Sequence, residues 1–101
     1  KVDHAVMGVS AIDEEGALLD FDYREVRAAQ AIIGNSRHVF LVADSLKFMR
    51  SAPVRIGHMA DIDVFVTDRA PPESVVELCR HKGVKLELAA EPFEQDNEKV
   101  A

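Results

Sequence analysis

Four short apolar runs constrain this chain more than any other feature: HAVMGVSAID (residues 4–13), HVFLVA (38–43), IDVFVTD (62–68) and VKLELA (84–89). The first three are nearly continuous rather than alternating, the pattern of strands buried on both faces of a sheet. Ala5, Val6, Met7 and Val9 carry the first run, and Gly8 permits close backbone approach near its end. The fourth run alternates, which places it nearer an edge.

The segments between the runs read as helices. In FDYREVRAAQAIIGNS (21–36), Val26, Ala29, Ile32 and Ile33 recur at helical spacing, with Asp22 as N-cap and Gly34-Asn35 as stop. PPESVVELCRHKG (71–83) has prolines at its start and Gly83 just past its end. DEEG (13–16) reads as a turn, and the poorly patterned 47–62 as a flap or a short edge hairpin. The expected class is α/β, a mainly parallel sheet with helices on its faces. Residues 1–90 form the folded part, and the charged, aperiodic tail 91–101 is expected to fray. The chain opens on Lys1 rather than Met, so a piece of a longer protein is expected.

Composition excludes several classes. With 48% apolar and 30% charged residues, the chain has the makeup of a globular domain and not of a disordered one. No run reaches the roughly 18 apolar residues that a membrane span needs, and the start lacks a signal-peptide pattern. A net charge of −6 without a basic stripe argues against nucleic-acid binding by this chain itself. One cysteine, Cys79, cannot form an internal disulfide and fits a cytoplasmic protein. Its place in SVVELCRHKG is that of a small buried hydrophobe rather than a reactive thiol.

Ligands of parallel α/β sheets sit beyond the carboxyl ends of the strands. That rule puts Ser10–Asp13, Asp44–Lys47 and Thr67-Asp68 on one rim. Asp44, Ser45 and Lys47 offer an acceptor, a hydroxyl and a cation, a set suited to a phosphorylated polyol. The same residues also fit a solvated turn in which Asp44 caps a local amide. Asp13 and Glu25 add two carboxylates able to bind hydroxyls or to move protons, or else serve as turn residue and solvated charge. Arg50, Arg55 and Arg69 are either solvated or paired with acids of another subunit. The four histidines have no metal-ligand spacing, and Ser45 lacks the Gly-x-Ser-x-Gly elbow. Neither a P-loop nor a dinucleotide fingerprint occurs, so no metal or cofactor is expected.

Taken in order, Gly8, Ile12-Asp13, Gly16, Glu25, Ser36-Arg37, LVADSLKF (41–48) and VRIGHMADIDVFVTD (54–68), continuing into the second helix, resemble the C-terminal sensor domain of DeoR-family transcriptional regulators. The resemblance covers about nine-tenths of the chain. It implies a fold like that of type A ribose-5-phosphate isomerase and the CoA-transferases, and an effector that is a phosphorylated sugar or polyol. It also implies a homo-oligomer, and a DNA-binding winged helix-turn-helix that this chain does not contain. The glycine- and threonine-rich phosphate loop of the family would likewise lie upstream.

Against the isomerase, Asp13 falls near its acidic GADE region and Glu25 matches its proton-transferring glutamate. Asp44, Ser45 and Lys47 overlay its ADESK strand end. The isomerase's lysine between these acids is absent: ALLDFDYR (17–24) has neither that lysine nor its glycines. Without that cation to stabilise a developing oxyanion, isomerisation is not supported. Leu46 stands where the sensor family more often has a small or polar residue. The expectation is therefore a non-catalytic effector-binding site of Asp13, Glu25, Asp44, Ser45 and Lys47, with a sugar-phosphate isomerase and an oligomerisation module with a vestigial pocket as the alternatives.

Overall fold

The computed structural model describes residues 1–89, so the expected fraying of 91–101 lies outside the described residues. In chain order the elements are β1 (Val2–Met7), β2 (Ala11–Ile12), β3 (Ala17–Asp20), α1 (Arg24–Asn35), β4 (Ser36–Val42), β5 (Val54–His58), β6 (Val64–Thr67), α2 (Glu73–Lys82) and β7 (Lys85–Leu88). Short 3-10 turns follow β4, over Ser45–Met49, and β5, over Met59–Asp61. β1, β4, β6 and β7 form a wholly parallel sheet in that order, and β2, β3 and β5 form a small antiparallel sheet.

Alternation along each parallel strand sorts its side chains by face. Met7, Val39, Leu41 and Phe65 point to one side and are buried there with Ala29 of α1 and Val75 and Cys79 of α2 in one apolar cluster. Each large side chain fully removed from water in this way contributes about 1.5–3 kcal/mol. Ile12, Leu18 and Ile56, from the three antiparallel strands, join the same cluster.

Both helices form where the spacing predicts. α1 presents Val26, Ala29, Ile32 and Ile33 to the core, and Ile33 lies over Gly57, where an added Cβ would come within 3.5 Å of its Cδ1. Asp22, expected as its N-cap, instead precedes the capping position, Tyr23, and its carboxylate accepts the Arg24 amide at 2.9 Å. The expected stop at Gly34-Asn35 is the last turn itself, and the chain passes directly into β4. α2 ends on Gly83 in the left-handed conformation (φ 72°), its amide donating to the Cys79 carbonyl. That conformation costs glycine little and other residues about 1 kcal/mol or more.

The first apolar run departs from expectation. It is two strands in two different sheets, separated by Gly8–Ser10, and β2 turns back on β3 through Asp13–Gly16. The poorly patterned 47–62 supplies β5, an edge strand on β3, rather than a hairpin of its own.

Candidate functional site

The polar exit from β4 is built on two anchors. Phe48 packs edge-on against the fully buried Phe65, ring centroids 6.0 Å apart, and so ties the 3-10 turn to the core. The second anchor is Asp68, just past β6: its Oδ1 accepts the Ser45 amide at 2.7 Å. Burial alone would push this carboxyl up. Hydrogen bonding from Ser45 and from its own backbone, with the charge of Arg69, outweighs that and holds it below its ordinary value. The strand pattern puts Asp68 on the rim, yet no local motif marks it as the brace of the turn.

Asp44 caps the turn, accepting the Leu46 amide at 3.0 Å, as the bland reading of this residue required. Its other carboxylate oxygen lies 3.9 Å from Lys47 Nζ. The Lys47 side chain is only 22% exposed, and this long contact with a half-exposed acid is its one ion pair among the described residues. The stem of Lys47 is thus held against the protein while its ammonium stays available. Ser45, half-buried, lies between them.

Asp13 is engaged elsewhere. Its Oδ1 accepts the amides of Glu15 and Ala17, both at 2.9 Å, and its carbonyl accepts the Gly16 amide at 3.0 Å. The tip of this hairpin is itself docked. The Glu14 carbonyl accepts the Ser74 hydroxyl at the start of α2, and the Glu15 carbonyl lies 2.8 Å from His58 Nε2. The Gly16 carbonyl accepts the Met59 amide at 2.8 Å. β2 nevertheless packs against the Ser45–Met49 turn, so the strand leading into Asp13 adjoins the other rim residues.

Glu25 is exposed on the first turn of α1; its amide donates to the Asp22 carbonyl at 3.0 Å, while its side chain makes no hydrogen bond or ion pair among the described residues. Because α1 leads directly into β4 and packs back on β4 and β1, its first turn lies toward the carboxyl ends of the strands. The structure therefore groups Asp44, Ser45 and Lys47 tightly, sets Asp13 beside them in a structural role, and puts Glu25 on the same side of the sheet without a contact.

A separate open concavity of about 440 Å³ lies along α1, lined by Tyr23, Arg24, Val26, Arg27 and Gln30. It includes none of the five candidate residues. Arg24 there is paired with Asp22 at 2.8 Å. Cys79 is buried, and burial pushes its thiol up, away from the thiolate that reactivity needs. No helix among the described residues is long and apolar enough to cross a membrane.

Comparison with known proteins gives this geometry its setting. The family model described as the DeoR C-terminal sensor domain matches residues 1–69. The chain is 47% identical over 88 residues to the glycerol-3-phosphate regulon repressor of Escherichia coli (strain K12), a match covering 87% of this chain and 35% of that protein. It is 43% identical over 88 residues to the repressor of the same name from Haemophilus influenzae, covering 87% of this chain and 34% of that one. Identity is 32% over 91 residues to the HTH-type transcriptional repressor CsqR of Escherichia coli (strain K12), covering 90% and 35% respectively. The chain thus spans about a third of the length of these curated relatives. The match to the family model and the sustained identity to these repressors show that the chain belongs to the family of DeoR-type C-terminal sensor domains.

Proposed function

We propose that this chain carries part of the effector site of a DeoR-type repressor, and that the effector is a small phosphorylated polyol or sugar. The observation that carries the reading is Lys47: a side chain only 22% exposed, fixed just past the carboxyl end of a parallel strand, whose one ion pair among the described residues is a 3.9 Å contact with Asp44. In this reading Lys47 meets a phosphate or sugar oxygen, Asp44 and Ser45 shape the floor, and Glu25 holds a hydroxyl. Asp13 acts by fixing the neighbouring hairpin as much as by touching the ligand. Effector binding would shift the arrangement of subunits in a homo-oligomer, and with it the affinity of an attached DNA-binding domain for operator DNA. Glycerol 3-phosphate is the first effector to test, given the names of the relatives.

The site is read as one that senses without converting. Residues 17–24, where the isomerase comparison calls for a lysine in a glycine-rich segment, form β3 and the lead-in to α1 and carry neither. The segment's one cation, Arg24, is paired with Asp22 at 2.8 Å, so no lysine is in place there to stabilise an enediolate oxyanion.

Isothermal titration of the complete sensor domain against a panel of sugar and polyol phosphates tests the proposal. Lys47→Ala should weaken binding about ten- to a hundredfold, the value of one charge-assisted hydrogen bond. The site assignment fails if the complete domain binds no member of the panel and Lys47→Ala leaves regulation intact. Measurable turnover of ribose 5-phosphate would favour an enzyme instead.

A further inference from the structure

His58 closes β5 and opens the 3-10 turn over Met59–Asp61, and both of its ring nitrogens are engaged. Nδ1 accepts the Ala60 amide at 3.0 Å, in the manner of an N-cap side chain. A nitrogen that accepts carries a lone pair, so Nδ1 is bare. Nε2 lies 2.8 Å from the Glu15 carbonyl, which can only accept, so Nε2 carries the hydrogen and donates it. The two partners together fix one neutral tautomer. Asp61 completes the turn by taking the His58 amide on its Oδ2 at 3.2 Å.

The ring thereby ties the turn to the tip of the β2–β3 hairpin. Three carbonyls dock that tip: Glu14 on the Ser74 hydroxyl, Glu15 on His58, and Gly16 on the Met59 amide. A hydroxyl and an amide keep their charge near neutrality, whereas imidazole gains a proton between about pH 8 and pH 5. The hairpin also matters to the rim. It carries Asp13, and β2, which leads into Asp13, packs against the Ser45–Met49 turn that holds Lys47.

We infer that His58 is a proton-sensitive latch: neutral, it pins the hairpin beside the rim, and protonated at Nδ1 it lets the hairpin loosen. Protonation turns the Nδ1 acceptor into a donor aimed at the Ala60 N–H, so donor faces donor. A rotation that relieves this takes Nε2 away from the Glu15 carbonyl. The ring sits close under the hairpin, since a Cβ added to Gly16 would come within 3.3 Å of its Cε1.

The surrounding charges give the cation another arrangement. Asp61 stands in the same turn, and Asp13, Glu14 and Glu15 stand on the hairpin. α2, packed against the turn, brings Leu78 to Gly16; it carries Glu73 and Glu77, and its cations Arg80, His81 and Lys82 lie in its last turn. β3 sets Ala17 opposite His58. α1, packed on β5, places Ile33 over Gly57, and Arg24, Glu25 and Arg27 belong to its other end. Proton gain thus exchanges two hydrogen bonds to backbone for pairing with acids. His58 acts through the hairpin and is a positioning residue. The latch stands without the effector assignment; its effect on affinity rests on that reading.

Imidazole nitrogen NMR shifts and amide hydrogen exchange of the intact protein, corrected for the intrinsic rate at each pH, test the latch. His58 should show the Nε2–H tautomer at about pH 8. Protection of the Ala60 and Met59 amides should fall about tenfold by about pH 5, the value of one lost hydrogen bond. His58→Asn keeps an acceptor for Ala60 but has nothing to reach Glu15. It should leave Ala60 protected, Met59 weakly protected at every pH, and both profiles flat. An Nδ1–H tautomer at high pH, or profiles that His58→Asn leaves unchanged, overturns the proposal. Affinity for glycerol 3-phosphate should weaken about fivefold more in the parent than in His58→Asn over the same range. The difference between the two proteins cancels titration of the probe's own phosphate. Exchange that follows pH with no such difference overturns the coupling to the rim. Absence of binding at high pH counts against that effector and not against the latch, which the exchange data decide.

Discussion

Replacing Asp68 probes how the cation at the β4 exit is held in place. Asp68 Oδ1 accepts the Ser45 amide at 2.7 Å, a short charge-assisted bond. Such bonds contribute about 1.5–3 kcal/mol, and partial exposure with solvent screening lowers the expectation to about 1–2 kcal/mol. Asp68→Ala should therefore lower the melting temperature by roughly 5–15 °C in a domain of this size. Asp68→Asn keeps an acceptor at Oδ1 and should recover about half of that loss. The pH dependence gives a sharper signature. The carboxyl of Asp68 is held below its ordinary value of 3.8, so its ionised form stabilises the fold fully above that value. The stabilisation is lost as pH falls through the lowered, folded-state value. In urea denaturation the gap between the parent protein and Asp68→Asn should be constant from neutrality to about pH 5, then close in stronger acid. If the two variants are equally stable and the gap ignores pH, the carboxylate does not brace the turn. Effector affinity should fall along with stability in Asp68→Ala, because the same turn carries Lys47.

Asp13→Ala frees the amides of Glu15 and Ala17 and should cost about 1–3 kcal/mol in chemical denaturation, whatever its effect on effector binding. An unchanged midpoint with lost binding would make Asp13 a ligand contact alone. Gly16→Ala should be worse, about 2–4 kcal/mol by the same assay. Gly16 has φ 87°, and its added Cβ would run into Leu78 Cδ2 of α2.

Much of the architecture is legible along the chain because burial leaves a local periodic trace. Val26, Ala29, Ile32 and Ile33 mark the inner stripe of α1 before any partner is known, and Gly83 marks the end of α2 through its own conformational preference. The core members of β4 and β6 likewise stand out as apolar runs. The division of HAVMGVSAID between two sheets does not, because strand identity depends on which backbone pairs with which, and that leaves no periodic signal. β3 is equally hard to read from the sequence: its four residues follow the turn without any break that separates them from the lead-in to α1.

The candidate site divides along the same line. Residue types alone marked Asp44, Ser45 and Lys47 as an unusual exit from a buried strand, and the order of Asp13, Glu25 and LVADSLKF pointed to the sensor family. Only the folded chain decides what each acid is engaged with. Asp13 is held by the amides of its own hairpin, Asp44 caps its own turn, and Asp68 braces that turn from 23 residues away. Apolar periodicity reports on a side chain's distance from water, which neighbours in sequence share. Hydrogen-bond partnership is set by residues brought together from distant parts of the chain, and so it belongs to the tertiary structure.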